Sequence, residues 1–133
     1  MHTAARRFIV LGALLLACAT GLGAWAAHGL ENLIDSDSVA TFRIGVEYHF
    51  FHALGILVTA MLLDRLPNSR LLLLCGVLLT AGIVLFSGSL YLLAFDTARF
   101  LGPVTPLGGV SFIAGWLCLA AALWRARAPD QAG

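Results

Sequence analysis

Glu47, His49 and His52 fall within six positions of VEYHFFHALG (residues 46–55), just ahead of a stretch without charge. A carboxylate and two imidazoles are the groups that gain or lose protons, or bind cations, near neutral pH. On a helix His49 and His52, at i and i+3, share one face. Further groups able to ligate or hydrogen bond are His28, Glu31, Tyr48, Ser87, Ser89, Tyr91 and Thr105.

Three uses of this set are open. The first is a structural cluster in which the His, Tyr and Ser side chains satisfy one another; the protein is then a non-enzymatic assembly or partner-binding component. The second is an oligomeric transporter, channel or lipid-binding protein using Glu47, His49 and His52. In that case interrupted backbone over Pro103–Gly109 offers a helix N-terminus to an anionic group. The third is metal or haem binding, with His28, His49 and His52 as weak ligand candidates beside Glu31 or Glu47. No HExxH or Glu-x-x-His pair supports the third use, and no cofactor is expected. Enzyme signatures are missing too: "GGVSF" is not a GxSxG elbow, and no glycine-rich phosphate loop follows a strand.

The elements that must position these residues are membrane helices. Of 133 residues 60% are apolar and 11% charged, with mean hydropathy +0.93, against about 25% charged in a soluble domain. Net charge is +1, which leaves no basic face for nucleic acid. Cys18, Cys75 and Cys118 lie in apolar runs without CxxC spacing and read as small buried hydrophobes. A crossing needs roughly 20 apolar residues, and four stretches qualify: about 8–27, 48–63, 71–95 and 107–124. The second is preceded by an amphipathic helical extension over about 38–47, where Arg43 and Glu47 are spaced for an i, i+4 pair and Ser36 or Ser38 serves as N-cap. The expectation is one all-α domain, residues 1–133, an integral membrane bundle of four transmembrane helices.

Arginine placement orients it. With the N-terminus inside, Arg6, Arg7, Arg65, Arg70, Arg125 and Arg127 are cytoplasmic, while Arg43 and Arg99 lie outside, the skew of the positive-inside rule. Both termini are then cytoplasmic, in a multi-pass membrane protein. "AWAA" at the end of the first apolar run resembles a signal-peptide cleavage site, but a 20-residue run exceeds the 7–15 of a signal core, so retention of this segment is expected.

Within lipid, helices associate through close backbone approach and hydrogen bonds between them. Small residues recur at three- and four-residue steps. Ala13, Ala17, Gly21, Ala24 and His28 form one such stripe. The second span has Gly45, Tyr48, His49, His52, Gly55 and Thr59; the third has Gly76, Thr80, Ser87 and Tyr91, with Gly88 adjacent. Gly108, Gly109, Ser111, Gly115, Cys118 and Ala122 mark the fourth. The packing glycines and alanine are thus expected at Ala17, Gly21, Gly55, Gly76, Gly88, Gly108, Gly109 and Gly115. Expected partners are membrane lipids, a second copy of the chain or a larger membrane complex.

GAWAAHGL (23–30), YHFFHAL (48–54), FSGSLYLLA (86–94) and TPLGGVSFIAGW (105–116) occur in that order. Together they closely resemble the small bacterial inner-membrane family typified by YgdD and YwdK, a domain of unknown function with eukaryotic membrane relatives. The resemblance covers nearly the whole chain and implies four transmembrane helices in a bacterial plasma membrane, with no activity attached. The chain departs from the usual first motif by having Trp25 for Phe and Ala26 for Gly, which puts a bulkier surface at that contact.

Overall fold

The computed structural model describes residues 1–97 and 99–126; Arg127, counted above among the cytoplasmic arginines, lies outside them. Four helices long and apolar enough to cross a membrane account for most of the described chain. The first span is α1 (Thr3–His28) and the second is α2 (Ser36–Arg65). The third runs through α3 (Arg70–Gly82), a π-helical turn (Ile83–Ser87) and α4 (Gly88–Ala94). The fourth is α5 (Val104–Ala126). One end of the bundle, the turn end, carries Thr3, the Pro67–Ser69 turn and Ala126. The other, the loop end, carries the short 3₁₀ segments Leu30–Asn32 and Arg99–Leu101.

Capping differs in detail from the sequence expectation. Asp35, rather than Ser36 or Ser38, caps α2: its Oδ1 accepts from the amides of Asp37 and Ser38, each at 3.0 Å, and Oδ2 accepts from the Ser38 hydroxyl at 2.8 Å. A carboxylate offers two acceptors to the orphan first-turn donors, and carries a charge that favours a helix N-terminus. Nor does Arg43 pair with Glu47. Its Nη2 donates to Glu31 Oε1 and to the Ala26 carbonyl, both at 3.1 Å, which ties α2 to the end of α1 instead. At the fourth span the helix begins at Val104, so Pro106 sits inside its first turn, where the missing N–H has no intrahelical acceptor to lose. The interrupted backbone expected over Pro103–Gly109 is therefore confined to its first residue.

The seam of α1 is also displaced. Ala5, Gly12, Ala19 and Ala26 are buried, whereas Ala13, Ala17, Gly21, Ala24 and His28 are exposed. The buried set repeats every seven residues, with Phe8, Leu15 and Leu22 three positions on and half-buried, the a and d pattern of a helix pair. Small residues at the a positions bring α1 close to α2: a Cβ on Gly12 would meet the Leu57 side chain at 2.7 Å. α5 repeats the device, with Gly108, Gly115 and Ala122 buried at the same seven-residue step. α1 packs chiefly along α2 and α5 along the third span, which also lies against α2.

Three apolar clusters stack along the bundle. Ala5, Leu63, Leu72 and Ala122 sit at the turn end. Ala53, Ile56, Cys75, Leu79, Ile83 and Phe112 fill the middle, and Ala26, Leu30, Val39, Phe42 and Ala94 the loop end. Large side chains such as Leu14, Met61, Val84 and Leu117 point outward, as a surface solvated by lipid requires.

Candidate functional site

The polar residues occupy the third of the bundle between its middle and its loop end, held by two aromatic frames. In the outer frame Trp25 of α1 meets Phe42 edge-on, centroids 5.6 Å apart, and stacks on Phe95 at 5.9 Å. Phe42 in turn lies 4.7 Å from the Tyr91 ring. Gly45 makes room for that ring, since a Cβ there would stand 2.9 Å from Tyr91 Cε1. The Tyr91 hydroxyl is thereby placed 2.9 Å from His49 Nδ1. The Trp25 and Ala26 substitutions noted in the first motif both belong here: the indole builds the frame and Ala26 is buried against it.

The inner frame surrounds His52. Its ring stacks on Phe112 of α5, centroids 3.4 Å apart and 13° from parallel, with Trp116 at 5.9 Å. Tyr48 spans the gap to Phe86 at 4.6 Å. His52 Nδ1 lies 2.6 Å from the Tyr48 carbonyl oxygen. A carbonyl can only accept, so Nδ1 carries the proton and Nε2 is the ring's acceptor when neutral.

Between the third and fourth spans, Ser89 Oγ donates to the Phe86 carbonyl at 2.9 Å and accepts from Thr105 Oγ1 at 2.7 Å. Ser111 of α5 donates to the Leu78 carbonyl at 2.7 Å. The π turn lies alongside. Gly88 N donates to the Ile83 carbonyl five residues back, where the third and fourth spans come closest: a Cβ at Gly82 would strike the Phe112 ring and one at Gly108 the backbone of Phe86. Among the described residues two buried side-chain polar atoms have no partner, His49 Nε2 and Ser87 Oγ.

The structure thus joins His49 to Tyr91 and Ser89 to Thr105, and sets His52 and Tyr48 between them. It leaves three candidates apart. His28 is exposed at the end of α1, Glu31 is engaged by Arg43, and Glu47 is exposed along a groove between α1 and α2. Among the described residues no three His, Cys, Asp or Glu side chains come together as a metal site would require. The close-approach glycines include Gly55, Gly76, Gly108 and Gly115, while Gly21 has open space around it and Gly88 and Gly109 meet only distant atoms. Phe42, Phe86, Phe95, Phe112 and Trp116 hold the site together and were not singled out from the sequence. Phe42 was within reach of the pattern: it lies seven residues before His49, one step back along the α2 seam.

Compared with known proteins, residues 22–109 match the family described as protein of unknown function (DUF423). The chain is 48% identical over 115 residues to the UPF0382 membrane protein YwdK of Bacillus subtilis, covering 86% of this chain and 94% of that one. It is 37% identical over 114 residues to a UPF0382 membrane protein of Haemophilus influenzae, covering 86% and 90%. To the UPF0382 inner membrane protein YgdD of Escherichia coli it is 44% identical over 95 residues, covering 71% and 72%. No solved structure matches.

Proposed function

The chain belongs to the DUF423 family of membrane proteins, and from that premise we propose that it is a non-enzymatic scaffold of the bacterial inner membrane, acting through assembly with itself or with a partner protein. The carrying observation is that both buried histidines engage other helices inside the bundle, His49 through the contact of its Nδ1 with Tyr91 of the third span and His52 through the stack of its ring on Phe112 of α5, while His52 Nδ1 turns back to the Tyr48 carbonyl of its own helix. Groups committed to cross-bracing are poorly placed to cycle through chemistry. A relay through Glu47, His49 and His52 would need the three on one path, yet Glu47 faces the α1–α2 groove while both imidazoles lie within the core. The inner-membrane location rests on the similarity to YgdD. A cytoplasmic turn end is supported by its arginines, Arg6, Arg7, Arg65, Arg70 and Arg125, against Arg43 and Arg99 at the loop end.

The test is His52→Leu, which removes the bond to Tyr48 and the imidazole stack on Phe112. A bracing histidine predicts a melting temperature in detergent lowered by several degrees, with co-purifying proteins lost in proportion to folded protein. Unchanged melting together with loss of a measured transport or ligand-binding activity would overturn the scaffold reading.

A further inference from the structure

Both ends of the Pro67–Ser69 turn carry an arginine, Arg65 closing α2 and Arg70 opening α3, and Arg125 of α5 comes alongside them. Together they line a cavity of about 480 Å³ whose walls include Leu71 and Ala122. None of the three arginines forms an ion pair among the described residues. The described carboxylate at this end, Asp64, is not part of the lining and accepts from the His2 amide at 2.6 Å. The cavity also receives the start of α3. Ser69 Oγ caps the amide of Leu72 at 3.3 Å, while the amides of Arg70 and Leu71 have no acceptor in the described chain, so two backbone donors and the positive end of a helix face the same space.

We propose that this cavity binds the headgroup of an anionic phospholipid. Three guanidinium groups and two free amides suit the oxygens of a phosphodiester. Depth selects a lipid over a dissolved anion. Arg65 and Glu47 are 18 residues apart on one helix, about 27 Å at ~1.5 Å per residue, so they stand near the two faces of a hydrocarbon layer about 30 Å thick. The cavity therefore lies at headgroup level, and the walls of Leu71 and Ala122 lead from it toward the acyl chains. Basic pockets between transmembrane helices take anionic headgroups in this way. The site goes beyond the scaffold reading and does not depend on it, since it lies at the opposite end from the histidines.

Native mass spectrometry of the full chain in detergent, with equal amounts of phosphatidylglycerol and phosphatidylcholine, tests it. The expected result is preferential retention of one phosphatidylglycerol by the unaltered protein. The double variant R70Q/R125Q should lower that preference by about fivefold per arginine. The variant R6Q/R7Q removes the same charge from the same end outside the cavity, and should leave the preference within twofold. Equal retention of both lipids by the unaltered protein overturns the site, a result that needs no variant to fold. An equal fall in both double variants overturns it as well, by assigning the preference to diffuse surface charge. Displacement of the lipid by millimolar inorganic phosphate would assign the cavity to a soluble anion instead.

Discussion

At the scale of single residues, Tyr91 and Ser87 make opposite forecasts although both are hydroxyl residues of the third span, the one half-buried and the other buried. Tyr91→Phe keeps the ring against Phe42 and removes only the oxygen 2.9 Å from His49 Nδ1. It leaves a buried imidazole nitrogen without a partner, at a cost of about 1–3 kcal/mol. Ser87→Ala deletes a hydroxyl that has no partner among the described residues and is expected to leave stability unchanged or raise it slightly. Thermal melting of the two variants side by side checks the contrast, and equal losses would mean that Ser87 Oγ is engaged. The sequence marked both residues as members of one polar set. Their difference depends on which atoms meet across helices, and the π turn decides that for Ser87. One extra residue in a turn shifts every later side chain around the helix, and a periodicity read at 3.6 residues per turn does not carry the shift.

At the scale of the element, α2 begins at a charge. The amide and hydroxyl of Ser38 hold the Asp35 carboxyl below its ordinary value of 3.8. A depressed carboxylate pKa adds stability above the ordinary value, and that stability is lost as pH falls through the folded one. Hydrogen exchange at Asp37 and Ser38 should therefore quicken below pH 3.8 relative to the middle of the same helix. Asp35→Asn, which keeps an acceptor without the charge, should remove that pH dependence; a pH response that survives the change would place its origin elsewhere. The existence of four spans was readable from uncharged runs, because a span has a minimum length set by the membrane. Their seams were less so. In α1 small residues occur on more than one face, and the stripe through Ala17 and Gly21 satisfied the same spacing rule as the one through Gly12 and Ala19. What separates them is the company they keep: Phe8, Leu15 and Leu22 interleave with the buried set. Size alone does not separate the two stripes, because a small residue on a lipid-facing surface leaves no mark in the sequence.

For the molecule as a whole, arginine placement and four spans make a statement about sidedness that single-cysteine labelling can decide. In a background with Cys18, Cys75 and Cys118 replaced by Ala, a cysteine at Ser36 should react with a membrane-impermeant maleimide on intact cells. One at Asn68, in the exposed turn between α2 and α3, should react only after the cells are opened. The reverse pattern would invert the bundle and place the arginine-lined cavity in the outer leaflet. Architecture was legible here because the bilayer imposes it on composition. The site was legible only as a neighbourhood: topology places His49, His52, Tyr91 and Thr105 toward one end of the bundle, while the aromatic rings that sort them into pairs are apolar and blend into the lipid-compatible background.

The seven-residue step along α1 also constrains how the gene can change length. A residue inserted between Gly12 and Ala19 would rotate Ala5 and Gly12 by about 100° relative to Ala19 and Ala26, carrying half of the seam off α2 and into lipid. An insertion in the 96–103 connection leaves that seam in register. Reading-frame-preserving insertions and deletions should thus be confined to the loops, and within α1 only changes of seven residues would leave its contact with α2 in register.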